Sequence, residues 1–260
     1  GQNGDELRID LNASADKVVA ENIIKFLKFT SSTTGSWSYA VTVNDGDGDG
    51  GTSVASSFTM TAVQPTITSA TYNAATGTLV VTGDHIVENS SGLDIDASRF
   101  TLTGEGGATY TLTDTVGVER TSSTSFTLTL SSTDQAAVNL ILNKGSDLVP
   151  SNISTGGTNY NLAAADNWAT GAPAAVDIAD ATNNPVAVSD VPAPTISSAT
   201  YDTSTGVLTV TGSGFTKYAG ASNDIDPSQF TLTGQGGAGS AYTLSTASDV
   251  EITSGTSFSV

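Results

Sequence analysis

The sequence predicts an all-β protein with short helices, built as tandem β-sandwich modules. Three observations predict it: a long internal repeat, period-two alternation of apolar and hydroxyl residues in short segments, and Gly- and Asn-rich turns between those segments. Residues 65–83, PTITSATYNAATGTLVVTG, return at 194–212 as PTISSATYDTSTGVLTVTG, with 13 of 19 positions identical. Residues 94–108, DIDASRFTLTGEGGA, return at 224–238 as DIDPSQFTLTGQGGA, with 12 of 15 identical. The offset grows from 129 to 130 and then 132, so insertions fall in loops while the strands keep their lengths.

In chain order, Val19, Ile23 and Phe26 stand at i, i+4 and i+7, which predicts a short helix between Ser14 and Lys25 with Ser14 as N-cap. Trp37, Tyr39, Val41 and Val43 then alternate with Ser36, Ser38, Ala40 and Thr42, and Phe58, Met60 and Ala62 with Thr59 and Thr61. Two strands therefore flank the Asp/Gly loop at 44–51 as a hairpin. The repeat unit reads as strands near 67–72, 78–82, 99–103, 109–113, 118–120, 125–130 and 186–189, with Phe126, Leu128 and Leu130 facing in and Thr127 and Thr129 out. A helix from about Thr133 to Asn143 interrupts them, with Ser132 as cap and Gly145 just past its end. A second helical turn is expected around Ala163–Trp168.

These elements divide the chain into 1–63, the C-terminal half of one module type; 65–191, a complete β-sandwich repeat module; and 194–260, the N-terminal half of a second copy. Both ends are expected to be cuts through a longer protein. The joints Gln64-Pro65 and Val191-Pro192-Ala193-Pro194 restrict the backbone and favour a semi-rigid, extended array.

The balance of 8 basic against 26 acidic residues gives a net charge of −18, which repels phosphate backbones and anionic lipids. Nucleic-acid binding is not expected. Only 13% of residues are charged, unlike a typical cytosolic enzyme. There is no cysteine, so neither disulfides nor thiolate metal sites can stiffen the chain. An excess of carboxylates makes Ca²⁺, which takes oxygen ligands, the expected cross-link. No apolar run of about 18 residues predicts membrane insertion, and a secretion signal is expected outside this chain.

The segment Glu6–Val63, with LRIDLNA, LKFT and YAVTVNDGDGDGGTS leading to FTMTAV, resembles the C-terminal half of cadherin-like modules of large RTX-type bacterial adhesins. The 65–191 unit, with LSSTDQAAVNLILNKG and TNYNLAAADNW, resembles a long repeat of very large Gram-negative surface proteins. The resemblance implies tandem Ig-like or cadherin-like sandwiches, type I export, a secreted or cell-surface location, Ca²⁺-stiffened modules, and a role in adhesion, biofilm or a surface layer. The RTX nonapeptide GGxGxDxUx does not occur, so what the resemblance implies is a place in the extender and not in the C-terminal secretion region.

The loop Asn44–Gly51 sets Asp45, Asp47 and Asp49 at alternate positions between glycines, a spacing that lets a tight curl aim several oxygens at one Ca²⁺. No glutamate completes an EF-hand, and Asp-Gly is also a favoured hairpin turn, so a solvated turn is the competing reading. Asp94 and Asp96 recur as Asp224 and Asp226 just before Phe100 and Phe230. They suit either a Ca²⁺ site bracing the loop or Asx turns entering a strand. Asp190, beside the Pro-rich joint, is a candidate ligand for an inter-module Ca²⁺. Glu119 recurs as Glu251, as a ligand or a surface partner, whereas Asp84, His85 and Glu105 are not repeated.

His85 is the single histidine, with no motif around it, so a hydrolytic triad is not expected. Trp37 and Trp168 sit in core-like contexts, with no aromatic cleft for sugar cleavage, and outward threonines on strands account for the TxT patterns. The expectation is a non-enzymatic, calcium-stabilised extender of a surface adhesin, whose partners are neighbouring modules, itself, or surface glycans. The alternatives are a surface-layer or filament subunit assembling through its end modules, and a carbohydrate-binding module.

Overall fold

The computed structural model describes residues 35–41, 56–143, 159–218 and 220–260, with backbone alone for 35–41, 56–62 and 237–238. Strands β1 (Gly35–Val41) and β2 (Ser56–Ala62) pair antiparallel, from Gly35 opposite Ala62 to Val41 opposite Ser56. This is the hairpin that the alternation predicts. The helix expected over 14–25 and the Asp/Gly loop lie outside the described residues.

The first repeat copy opens on the hairpin of β3 (Thr66–Asn73) and β4 (Thr78–Asp84). Asn73 Oδ1 accepts the N–H groups of Ala75 and Thr76, and Gly77 closes the turn at φ +68°, a conformation that glycine reaches without strain. β8 (Ser125–Thr129) pairs with β4, β7 (Arg120–Ser122) with β8, and β10 (Val186–Ser189) runs parallel to β3. The order in this five-stranded sheet is β10-β3-β4-β8-β7. A second sheet has the order β6-β5-β9, from β5 (Phe100–Thr103), β6 (Thr109–Thr111) and β9 (Asn161–Ala164).

The two sheets meet across one apolar core, because alternate residues of β3, β4, β5 and β8 are buried. At its centre Phe100 of β5, Phe126 of β8 and Trp168 surround one another with ring centroids 5.6–5.9 Å apart. Trp168 satisfies its buried indole N–H on Ile178 O, at 2.9 Å. Helix α1 (Ser132–Ile141) buries Val138 and Ile141 in the same core. Its Asn139 accepts the Tyr72 hydroxyl at 2.7 Å, and Gln135 and Asn139 both donate to Ala74 O beyond the end of β3.

The second copy supplies β11 (Thr195–Asp202), β12 (Val207–Ser213) and β15 (Ser257–Ser259), in the order β11-β12-β15. A separate pair joins β13 (Thr231–Thr233) and β14 (Ala241–Thr243). Even the irregularities repeat. The β3–β4 register shifts between Ile67 and Ser69, and the β11–β12 register shifts between Ile196 and Ser198. At each bulge the partner strand carries glycine, and a Cβ on Gly83 or Gly212 would overlap the carbonyl of Thr66 or Thr195.

Among the described residues the fold is mostly β with one short α-helix, and the inward Phe126, Leu128 and Leu130 alternate as the sequence predicts. Three details differ. The helical turn expected at Ala163–Trp168 is instead strand β9 followed by turns, since Leu162 and Ala164 alternate inward against Leu102 and Phe100. The segment at 118–120 makes a single bridge, Ile95 to Val118, and β7 starts at Arg120. The α1 cap is Ser131, whose Oγ accepts the Asp134 N–H at 3.1 Å; Ser132 is the first helical residue.

The two copies touch at the C-terminal end of α1. Lys217 N–H donates to Leu140 O at 3.2 Å, and Asn143 Nδ2 donates to Lys217 O. Leu140 packs against the cores of both copies. Beside this contact lies a cavity of about 430 Å³, bounded by Ala137, Asn139, Pro192, Phe215 and Thr256.

Candidate functional site

Each candidate carboxylate on the described residues is engaged by protein donors. Asp94 is buried, with Oδ1 accepting Asn89 N–H at 2.5 Å and Oδ2 accepting Arg120 N–H at 2.9 Å. Burial by itself raises the Asp94 pKa. The two N–H groups, a hydrogen bond from Glu119 and the Arg120 charge outweigh it and hold the carboxyl below its usual range. Asp224 repeats the arrangement, taking Tyr218 N–H at 2.5 Å and Ile252 N–H at 2.8 Å.

Asp96 and Asp226 each cap a single 3-10 turn. Asp96 Oδ1 accepts the N–H and hydroxyl of Ser98 at 3.0 and 2.7 Å, and Asp226 Oδ1 accepts those of Ser228 at 2.9 and 2.6 Å. The second oxygen meets Arg99 Nε at 3.2 Å in one copy and Gln229 Nε2 at 3.1 Å in the other. Partial burial raises the Asp96 carboxyl, but the Ser98 and Arg99 hydrogen bonds more than offset this, so it sits low. Asp226 also sits low, chiefly through the Ser228 hydroxyl. These are the geometries of an Asx turn entering a strand.

Asp190 stands at the joint at φ +52°, with Oδ2 accepting Asn73 Nδ2 at 2.6 Å. Asp45, Asp47 and Asp49 lie outside the described residues. Among the described residues, no three His, Cys, Asp or Glu side chains are grouped so as to hold a metal ion.

Around Asp94 the structure assembles charges that the sequence does not place together. Arg120 reaches Glu88 at 3.0 Å and donates to Ile86 O at 2.7 Å. Burial and the neighbouring Asp94 and Glu88 carboxylates push Glu119 above its ordinary value. In the second copy Lys217 occupies the place of Glu88 and pairs with Glu251, the counterpart of Glu119, at 2.8 Å. The same two loops are thus tied by an ion pair in both copies, with the charges on different residues.

Two buried acids escape sequence reasoning. Asp134, in the first turn of α1, accepts six hydrogen bonds: from the Tyr110 hydroxyl, the N–H and hydroxyl of Thr113, Asp114 N–H, and the N–H and hydroxyl of Thr115. These donors outweigh its burial and keep the carboxyl far below its usual range. The signal was present as Ser131-x-x-Asp134, an N-cap followed three residues later by an acid. Glu105 is also buried; Oε2 meets the Tyr160 hydroxyl at 3.4 Å, and Oε1 has no hydrogen-bond partner. Nothing in its EGG context marks it as buried.

The arrangement binds backbone. Carboxylates accept N–H groups from loops that run between sheets, and so fix loop shape. His85 is exposed at φ +55° on the loop after β4. No helix among the described residues is long and apolar enough to cross a membrane. In comparisons with known proteins, no family model, no curated protein and no solved structure matches the chain.

Proposed function

We propose that this chain is part of the extender of a large secreted bacterial surface protein, in which Ig-like or cadherin-like β-sandwich modules follow one another as a calcium-stabilised stalk and the adhesive chemistry lies elsewhere. The observation that carries the reading is the joint. One copy's α1 hydrogen-bonds and packs onto the loop at 214–217 of the next copy, a head-to-tail contact of the kind that lets identical units propagate in one direction. The repeated register and bulge support a unit copied for length, because both copies keep the framework while their ion pairs differ.

Calcium enters through the Asp45, Asp47 and Asp49 loop and the net charge of −18, whose self-repulsion a divalent cation relieves. Small-angle scattering of the full chain tests the extender. An elongated particle whose dimensions do not spread with temperature below unfolding supports it, and a collapsed or freely jointed particle sinks it. A thermal melt with and without EDTA tests the calcium component, which an unchanged melting temperature would remove.

A further inference from the structure

We propose that Glu105, Tyr160 and Asn143 of the first copy form a binding site for a calcium-sized hard cation held through oxygen. The three side chains meet where the turn after β5 packs on the C-terminal end of α1. A Cβ on Gly104 would overlap Ile141 O, so the turn lies directly against the helix backbone. Glu105 is 2% exposed, Asn143 8% and Tyr160 0%. Among the described residues the Glu105 carboxylate has one hydrogen-bond partner, the Tyr160 hydroxyl at 3.4 Å, and its buried Oε1 has none. None of the ion pairs on those residues reaches it. A carboxylate withdrawn from water without a counter-charge is strongly unfavourable, so this position calls for a positive ligand.

Two comparisons within the molecule set Glu105 apart. Asp134 is equally buried at the other end of α1, yet six protein donors fill its oxygens. Gln235 holds the place of Glu105 in the second copy, and β13 and β14 pair there as β5 and β6 do in the first. The hairpin therefore forms without a carboxylate, and the charge of Glu105 serves something other than the turn.

The groups around that charge are acceptors. Asn143 Nδ2 donates to Leu140 O and Lys217 O, which fixes the amide with Oδ1 towards the Tyr160 hydroxyl, 3.3 Å away. The Tyr160 oxygen thus stands 3.3 Å from Asn143 Oδ1 and 3.4 Å from Glu105 Oε2, longer than O–H···O hydrogen bonds usually run. Oxygens set at right angles around a cation with bonds of about 2.4 Å lie about 3.4 Å apart, whereas the shorter bonds of Mg²⁺ bring them to about 2.9 Å. The hydroxyl can turn its proton away and offer a lone pair. One carboxylate with an amide and a hydroxyl oxygen is a donor set for a hard cation, and it needs no group of three acids.

The test uses the full chain carrying Asp45→Asn, Asp47→Asn and Asp49→Asn, so that the Asp/Gly loop contributes nothing. Calorimetric titration with Ca²⁺ should show one saturable site, at least tenfold weaker for Mg²⁺. Tb³⁺ competing with Ca²⁺ for that site should emit on tyrosine excitation. Glu105→Gln, which installs the second copy's own residue, should weaken Ca²⁺ at least tenfold and abolish the rise in melting temperature that Ca²⁺ produces, with no loss of melting temperature in EDTA. Tyr160→Phe keeps the ring and should weaken Ca²⁺ as well. Absence of a saturable site overturns the proposal, as does a Ca²⁺ affinity unchanged in Glu105→Gln. So does a loss of stability in Glu105→Gln that is equal in Ca²⁺ and EDTA, because the carboxylate then serves the fold alone. The extender is read from particle shape and the loop from residues 45–49, so failure here leaves both of those readings standing.

Discussion

Asp94 and Asp224 hold the same point in the two repeat copies, and each divides its carboxylate between two backbone N–H groups, from Asn89 and Arg120 in one case and from Tyr218 and Ile252 in the other. The side chains around them differ, so the grip itself is what the two copies share. An asparagine in place of Asp94 keeps one acceptor oxygen and leaves one N–H facing an amide NH₂. The expected cost of Asp94→Asn is about 2 kcal/mol, as for a lost charged hydrogen bond at a buried group. Asp224→Asn should cost less, since Asp224 is only half-buried. Urea unfolding in Ca²⁺ and in EDTA checks this; a cost that disappears in EDTA would assign Asp94 to a cation and not to the loop.

Asp134 makes the acid stability of the first copy predictable. Its carboxyl sits far below the ordinary range in the folded chain, so its contribution is present above the unfolded carboxylate value near pH 4 and is lost as pH falls below that towards the folded value. Asp134→Asn should lower stability at neutral pH by about 3 kcal/mol, because several buried donors lose a charged acceptor. The variant should also flatten the decline of stability between pH 4 and pH 2 by roughly one carboxylate's share. Urea midpoints across that range read both effects.

The bulge glycines give a third expectation. A Cβ at Gly83 or Gly212 meets a fixed backbone carbonyl, so the hairpin must open its bulge to accept it. Gly83→Ala should destabilise by about 3 kcal/mol, in the range for overpacking at a site that cannot relax. Gly212→Ala should cost less of the measured total, because β11 and β12 are held by a three-stranded sheet with one face of β11 open. Differential scanning calorimetry of the two variants, resolved into transitions, tests the order.

How much of this was legible beforehand depended on whether the signal was local. Alternation along Phe126, Leu128 and Leu130 and the copied segments from Pro65 and Pro194 revealed strands and repeat, because side-chain period and sequence identity need no partner. Strand β9 was hidden. Leu162-Ala163-Ala164-Ala165 favours helix by intrinsic preference, and pairing with β5 overrides it. The Asp94 and Asp96 pair was visible as a motif, but its donors come from Asn89, Arg120 and Ser98, and a short Asp spacing looks the same whether it meets N–H groups or a cation. Ser131 and Asp134 carried a readable capping pattern, whereas the burial of Glu105 arises from residues distant in sequence, Tyr160 among them.

The joint between copies yields the last expectation, and it separates rigidity from fold. Leu140 is shared by both cores, and Asn143 reaches Lys217 O with its amide while its side-chain oxygen accepts the Tyr160 hydroxyl at 3.3 Å. Replacing Asn143 would therefore also disturb the first copy. Phe215 is the cleaner choice: it lies wholly in the second copy, beside the cavity at the joint, with its ring 5.1 Å from that of Phe258. Phe215→Ala should destabilise the second copy by about 3 kcal/mol through lost burial and an added cavity. Lys217→Pro removes the N–H that Leu140 O accepts, and it should loosen the joint with little change in the first copy's unfolding. Spin labels on the two copies would read it. A distance distribution that broadens in Lys217→Pro but not in Lys217→Ala, which loses only the ion pair with Glu251, while the first copy's melting temperature holds, means the hydrogen bond sets the angle between units. An unchanged distribution means that the packing of Leu140 and the Asn143 bond to Lys217 O do so.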